Sequence, residues 1–138
     1  MNKFFALIPV KLKSNSIYQK NLKKIKNKTL VDITIDEAKK SSCFDEIYVS
    51  SENYKLKKIC EKKKIFFFKR NKIFSAKKAL SSSVIQEFIK KKNLDSNDII
   101  IYLQPTSPFR KAKHIKESIK KFKRNKKKTL ISVKENSL

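Results

Sequence analysis

Glycine is absent from the 138 residues of this chain. Average usage of about 7% predicts roughly ten glycines in a protein of this length. Turns must therefore use Asn, Ser, Asp or Lys at positions where a left-handed backbone conformation favours glycine. The absence counts against any motif that depends on glycine, including the glycine-rich loops that hold phosphates.

Cysteine and histidine are scarce. Cys43 and Cys60 lie outside any paired metal-binding spacing, and two cysteines make no disulfide framework. His114 is the only histidine, and we expect it to have a structural or solvent-facing role at the start of a helix. A single histidine does not identify a nucleophile–base–acid triad in this sequence. The cysteine usage indicates a reduced, cytoplasmic protein.

Long apolar runs are absent as well. No run approaches the roughly 18 residues that a membrane helix needs. The N-terminal segment MNKFFALIPVKLK has a short apolar run after a lysine, but Lys11 and Lys13 stand where a signal peptide would have its small-residue cleavage site. We therefore expect a first buried strand here and no membrane partner.

Positive charge is abundant, with a formal net charge of +24. Clustered basic residues neutralise phosphates, which favours a polyanion-binding interpretation. However, all but three of the 36 basic residues are lysine, and the frequent residues Lys, Ile, Asn and Phe share A/T-rich codons. The lysine runs at 62–64, 90–92 and 126–128 fall at predicted helix ends, where cations suit the helix dipole. A solvated basic surface is the simpler explanation, and a polyanion site stays open.

Apolar runs alternate with segments of helical periodicity. The predicted strands cover residues 4–9, 47–50, 65–68, 98–103 and 129–133. Apolar stripes predict helices around residues 30–38, 56–60, 84–89 and 115–122, with the serines at 81–83 as a cap for the third helix. This alternation predicts right-handed βαβ crossovers and a mainly parallel sheet in a single α/β domain spanning residues 1–138.

The segment IIIYLQPTSPFR, from Ile99 to Arg110, is the most informative part of the chain. Its continuous apolar run is typical of a buried parallel strand, and open α/β sheets bind ligands at the carboxyl ends of such strands. The segment therefore predicts a strand that delivers four polar side chains to a binding crevice. These are Gln104, Thr106, Ser107 and Arg110.

The loop after the first predicted strand runs from Lys11 to Asn21 and reads KLKSNSIYQKN. A nucleotide-binding α/β fold holds phosphates at this place. The lysines offer positive charge, while Ser14, Asn15 and Ser16 can turn backbone N–H groups toward an anion. By itself the pattern does not separate a phosphate-binding loop from an ordinary basic surface loop.

Four ordered segments resemble the acylneuraminate (sialate-type) cytidylyltransferases. IPVKLKSNSIYQKN is similar to the family's IPARxGSKGxPxKN, and FDEIYVSSEN, from Phe44 to Asn53, is similar to FDxIxVSTD. Arg70 aligns with the arginine of RPxxLAxD, and QPTSPFR resembles QPTSP(L/F)R. The Lys20–Asn21 pair favours the sialate-type branch over the related enzymes for 3-deoxy-manno-octulosonate.

The resemblance implies a Rossmann-like nucleotidyltransferase with a three-layer sandwich. The implied reaction transfers CMP from CTP to an acidic nonulosonic (sialic acid-type) sugar and releases pyrophosphate, in cell-surface glycan biosynthesis. The implied cofactor is Mg²⁺, with no ligand assigned in this chain. The resemblance also implies that the strands beginning near Phe4 and Asp98 are neighbours, with the loop from Lys11 to Asn21 facing Gln104.

Site residues follow from the matching positions. Lys11 and Lys20 are implied to bind phosphate and to act in catalysis. The implied nucleotide-binding residues are Lys11, Ser14, Asn15, Lys20 and Asn21. The implied sugar-binding residues are Gln104, Thr106, Ser107 and Arg110.

Departures from the family pattern keep alternatives open. Asn15, Ser16 and Tyr18 replace the usual Lys, Gly and Pro, and Lys77 replaces an acid. The sequence also stops before the family's dimerisation segment and metal-binding aspartates, so a homodimer would have to form without that segment. The alternative is a truncated, catalytically impaired member that binds nucleotide or other polyanions. A nucleic-acid-binding protein is the third and weakest interpretation, because no recognised module is present.

Overall fold

A computed structural model describes residues 3–11, 24–25, 28–71, 81–107 and 109–125. Two predictions lie outside these residues: the strand at 129–133 and the loop at 11–21, apart from Lys11.

The centre of the fold is a parallel sheet. Its strands are β1 (Phe4–Pro9), β4 (Glu46–Ser51), β5 (Phe66–Lys69) and β6 (Ile99–Tyr102), in the order β5-β4-β1-β6. The two short strands β2 (Lys24–Ile25) and β3 (Lys28–Thr29) form a separate antiparallel pair. Four of the five predicted strands are therefore confirmed to within one or two residues, and the pair β2–β3 was not predicted.

The strand order has a reversal point. From β1 the chain moves outward through β4 to β5, and then returns to the other side of β1 to form β6. Phe4 aligns with Ile99 and Leu7 with Tyr102, in parallel register. This confirms that the strands beginning near Phe4 and Asp98 are neighbours. In doubly wound folds, ligands bind at the carboxyl ends of the two strands that flank such a reversal.

The described residues also form four helices: α1 (Leu30–Ser41), α2 (Lys55–Lys63), α3 (Ser81–Lys92) and α4 (Ala112–Asn125). Successive side chains of β1 point to opposite faces of the sheet, as in any β-strand, so β1 contributes to the apolar core on both faces. Ala6, Ile8 and Val10 pack with residues of α1, α2 and α4, whereas Phe5 and Leu7 pack with Phe88 of α3. The described elements thus form the predicted three layers.

An aromatic cluster joins α3 to the sheet. The ring of Phe88 meets the rings of Phe5, Tyr48 and Phe68 edge-on, with centroid distances of 6.2, 5.0 and 5.2 Å. Edge-to-face contacts of this kind add about 0.5–1.5 kcal/mol each beyond the burial of apolar area. They fix α3 on the face opposite to the other helices.

Non-glycine residues adopt the left-handed backbone conformation at the ends of three helices. Ser42, Lys64 and Asn93 follow α1, α2 and α3, and they have positive φ angles of 55°, 58° and 51°. A glycine commonly occupies this position, since it has no Cβ to clash. The prediction that Ser, Lys and Asn replace glycine at such turns is confirmed.

The prediction about the start of α3 needs correction. The serines at 81–83 lie inside the first turn of α3 rather than before it. The acids near β4 lie at opposite ends of that strand, with Asp45 and Glu46 at its start and Glu52 directly after its end. Asp45 accepts the backbone N–H of Phe4 at the amino end of the sheet, while Glu52 is buried at the carboxyl end.

Candidate functional site

Backbone pairing continues one residue beyond three of the strands at the carboxyl edge. Val10 donates its N–H to the carbonyl oxygen of Ser50, Leu103 to that of Leu7, and Arg70 to that of Ser51, at 2.8, 2.9 and 2.8 Å. Lys11 and Gln104 therefore leave the edge from two adjacent strands. We call the space above these two strand ends the crevice.

The crevice contains part of the predicted site. Lys11 is half-buried, Gln104, Thr106 and Ser107 are exposed, and Arg110 is half-buried. The remaining predicted residues lie outside the described part of the chain, as does Lys77. They are Ser14, Asn15, Lys20 and Asn21. The expectation that the loop from Lys11 to Asn21 faces Gln104 therefore stays a prediction beyond Lys11.

Arg110 organises the turn after β6. Its Nη2 donates to the carbonyl oxygen of Gln104 at 3.0 Å, and its backbone N–H donates to the carbonyl oxygen of Ser107 at 3.2 Å. Burial lowers the pKa of the Arg110 guanidinium from its ordinary value. Arginine has five N–H donors, so this turn contact is compatible with anion binding by the others.

A buried ion pair at the same edge was missed from the sequence. Arg70 Nη2 lies 3.1 Å from Glu52 Oε2, and the two side chains are only 3% and 5% exposed. The same Nη2 donates to the carbonyl oxygen of Val10 at 3.1 Å. The sequence held one indication of this pair. Glu52 directly follows β4, Arg70 directly follows β5, and these two strands are neighbours in the sheet.

Polar contacts continue on the α3 side of the crevice. Glu87 Oε2 accepts the backbone N–H of Asn71 at 3.0 Å and lies 3.2 Å from Lys91 Nζ. Its buried Oε1 has no hydrogen-bond partner among the residues that the structure describes. Burial raises the pKa of Tyr102, and a hydrogen bond with Ser81 and the charge of Arg70 oppose this rise. Tyr102 of β6 thus lies within electrostatic reach of Arg70.

Metal-binding side chains do not converge in the part of the chain that the structure describes. No group of three or more His, Cys, Asp or Glu residues there could hold an ion. Glu52 is engaged by Arg70, and Asp45 and Asp98 accept backbone N–H groups of Phe4 and Lys3 at the opposite, amino edge. The described residues therefore do not provide a Mg²⁺ site, and the implied cofactor stays a prediction of the resemblance.

The solvent side of α4 is strongly basic. A shallow hollow of about 310 Å³ on this helix is lined by Glu117, Lys120, Lys121 and Arg124. Ala112, Ile115 and Ile119, on the apolar side of α4, are buried. The side of the helix that faces solvent is therefore charged and carries no apolar stripe. None of the helices described has the length and apolar character needed to cross a membrane.

Comparison with known proteins settles the family. Residues 5–136 match the family model described as cytidylyltransferase. The chain belongs to the cytidylyltransferase family. Because the match begins in β1 and extends beyond α4, it includes both strands that flank the crevice.

Curated relatives share this region. An N-acylneuraminate cytidylyltransferase of Streptococcus agalactiae serotype V is 31% identical over 116 residues, which are 83% of this chain and 28% of that protein. A CMP-N,N'-diacetyllegionaminic acid synthase of Legionella pneumophila is 28% identical over 120 residues, 85% of this chain and 52% of that protein. The chain thus spans between about a quarter and a half of the length of these relatives.

Solved structures have the same fold. A CMP:2-keto-3-deoxy-manno-octonic acid synthetase, determined with CTP, superposes with a TM-score of 0.72 at 15% identity, covering 91% of this chain and 49% of that one. A cytidylyltransferase from Leptospira borgpetersenii gives a TM-score of 0.71 at 19% identity, covering 91% and 50%. The predicted Rossmann-like nucleotidyltransferase fold is confirmed.

Proposed function

We propose that this chain provides the CTP-binding part of a cytidylyltransferase acting on an acidic, sialic acid-type sugar. In this reaction a sugar hydroxyl attacks the α-phosphorus of CTP and the bond between the α- and β-phosphates breaks. The products are the CMP-sugar and pyrophosphate, and the hydroxyl proton goes to solvent or a base. A role in cell-surface glycan biosynthesis and a cytoplasmic location are part of the same proposal.

The observation that carries the proposal is the juxtaposition of Lys11 and Gln104 at the ends of β1 and β6. These strands flank the reversal of strand order, where α/β folds bind nucleotides. The cytidylyltransferase family match includes both strands, and relatives named for CMP transfer to acidic sugars match 83% and 85% of the chain. Lys11 would supply charge to the CTP phosphates, and Gln104 would face the sugar.

Lys20 and Asn21 complete the proposed nucleotide site. Lys20 would bind phosphate, and Asn21 would contact the cytosine or ribose end. Ser14 and Asn15 would direct backbone N–H groups toward the phosphates. Arg110, Thr106 and Ser107 would shape the sugar pocket. A lysine at position 11 supplies charge without the bidentate geometry of arginine, so we expect CTP binding to be weak.

Calorimetric titration with CTP and with ATP tests nucleotide binding directly. We expect measurable affinity for CTP and a weaker response to ATP. Equal affinity for both, or affinity that follows phosphate count alone, would assign the binding to a nonspecific basic surface. A Lys20→Ala variant should lose CTP binding if the assigned loop is responsible.

The second candidate is a family member that binds nucleotide without efficient turnover. It is favoured by the departures from the family pattern in the phosphate loop, where Asn15, Ser16 and Tyr18 replace the usual Lys, Gly and Pro. A pyrophosphate-release assay with CTP, Mg²⁺ and a panel of nonulosonic acids separates the two functions. Turnover that Lys20→Ala abolishes supports the enzyme, whereas CTP binding with background turnover supports the impaired member.

A further inference from the structure

Arg70 links three strand ends at the carboxyl edge of the sheet. It follows β5, its Nη2 donates to Glu52 Oε2 beyond β4, and the same nitrogen donates to the carbonyl oxygen of Val10 beyond β1, both at 3.1 Å. Both side chains are almost completely buried. The contact therefore belongs to the interior of the fold and not to its solvated basic surface.

Val10 is the residue that this link restrains. Its N–H donates to the carbonyl oxygen of Ser50, and its carbonyl oxygen accepts from Arg70. With both backbone polar groups engaged, the direction in which the chain leaves β1 is fixed. Lys11 is the next residue, so its starting position in the crevice depends on Arg70.

Glu52 compensates the charge of Arg70, which allows the buried guanidinium to bind the Val10 carbonyl oxygen. A buried guanidinium is costly unless a charge and hydrogen bonds compensate it, and loss of one partner leaves the other charge uncompensated. Glu52 supplies the compensating carboxylate at the end of the intervening strand. Glu87 adds support by holding the backbone N–H of Asn71, the residue after Arg70.

We propose that Glu52 and Arg70 are positioning residues that hold Val10, and through it Lys11 at the start of the nucleotide-binding loop, in the geometry needed for CTP. They act through the Val10 carbonyl oxygen and not by contact with the reacting phosphate. The inference rests on the proposed function for its effect on CTP, while its effect on the backbone at Val10 is independent of any ligand.

Hydrogen exchange of the full chain without ligand is the first test. The variants are Glu52→Gln, which removes the negative charge, and Arg70→Lys, which keeps the positive charge but shortens the side chain by one bond. We expect the Val10 amide to exchange at least tenfold faster in both variants. The Ala6 amide, in the middle of β1, should keep its wild-type rate, which distinguishes local release from global unfolding.

Asp36→Asn is the matched control, because it also removes a carboxylate from an ion pair, here with Lys63 at 2.8 Å between α1 and α2. It should leave Val10 exchange within twofold of wild type. Glu52→Asp keeps the charge and should restore slow exchange at least in part. A wild-type rate at Val10 in both Glu52→Gln and Arg70→Lys overturns the proposal, as does equal acceleration at Val10 and Ala6.

CTP titration of the same variants is the second test. Glu52→Gln and Arg70→Lys should bind CTP at least tenfold more weakly than wild type, and Asp36→Asn should bind within twofold. If wild type binds CTP and the two variants bind equally well, the positioning role is wrong. If wild type binds no CTP while Val10 exchange responds as expected, the proposed function fails and the restraint on Val10 stands.

Discussion

The carboxylate of Glu37, on α1, caps the N-terminus of α4, where Glu37 Oε1 accepts the backbone N–H of Ala112 at 3.0 Å. Nearby, His114 Nδ1 accepts the backbone N–H of Lys111 at 2.9 Å. The first N–H groups of a helix lack partners within the helix, so both contacts satisfy donors that would otherwise need water. They fix the start of α4 directly after the turn that carries Gln104 and Arg110.

Replacement of Glu37 by alanine should therefore destabilise the protein. We expect a loss of about 1 kcal/mol, the typical value for a lost helix cap, with a faster-exchanging Ala112 amide. Glu37→Gln, which keeps an acceptor oxygen but lacks the charge that suits a helix N-terminus, should lose less. Urea unfolding measures the difference, and Glu61→Ala, at an exposed site on α2, is the control. Equal losses at Glu37 and Glu61 would contradict the cap.

Replacement of Lys64 by glycine should raise the stability of the protein. Lys64 follows α2 with φ of 58°, its side chain is exposed, and its backbone N–H donates to the carbonyl oxygens of Cys60 and Glu61. In this conformation a residue with a Cβ has a steric cost of about 1–2 kcal/mol, which glycine avoids. Glycine also has greater conformational freedom in the unfolded chain, and this offsets part of the gain in stability. Lys64→Gly should thus stabilise the protein by about 0.5–1 kcal/mol in urea unfolding. Lys64→Ala keeps the Cβ, and a similar gain from it would refute this cause.

Asp36 should contribute to stability in a defined range of pH. Burial alone would raise the pKa of Asp36, but hydrogen bonds and charge from Lys63 and Lys28 lower it below the usual value of 3.8. A carboxyl group whose pKa is lower in the folded state stabilises the fold above its unfolded pKa, and the stabilisation is lost as pH falls through the folded pKa. The difference in unfolding free energy between wild type and Asp36→Asn should therefore be constant from pH 5 to pH 7 and shrink below about pH 4. A constant difference down to pH 2 would show that the two lysines do not act on Asp36.

The two cysteines should react at different rates. Burial, followed by the charge of Glu61, raises the pKa of Cys60 to about 11, and its side chain lies on the buried face of α2. The thiolate is the reactive form, so Cys60 should be nearly inert to a thiol reagent at pH 8 in the folded protein. Cys43 is only half-buried and should react first. Cys43→Ser is expected to remove the fast phase, and Cys60→Ser to leave it. A fast phase that persists in Cys43→Ser would contradict the burial of Cys60.

Much of the fold could be predicted because its signals are local. The apolar runs gave the four strands of the main sheet, and the stripe at Leu30, Thr34 and Ala38 gave α1. The pair β2–β3 was missed because two-residue strands carry no periodicity. The Thr29 and Asp32 capping box could have indicated where α1 begins, but not the strand pair before it.

The site was harder to predict because its contacts join residues that are distant in sequence. Gln104 and Arg110 were found from one segment and its resemblance to a family. Glu52 and Arg70 meet only because β4 and β5 are neighbours in the sheet, and the sequence alone does not show that pairing. Pairing between strands must be known before two separate polar residues can be recognised as partners.

Lys11 provides the sharpest distinction between a nucleotide site and a generally basic surface. Loss of one charged contact to a phosphate costs about 1.5–3 kcal/mol, so Lys11→Ala should weaken CTP binding about tenfold to a hundredfold. Lys116→Ala removes the same charge from an exposed position on α4 and should change the affinity less than twofold. Calorimetry at two salt concentrations measures both variants, since nonspecific binding depends strongly on salt. Equal losses for Lys11 and Lys116 would mean that CTP responds to total charge, and the crevice between β1 and β6 would no longer be the candidate site.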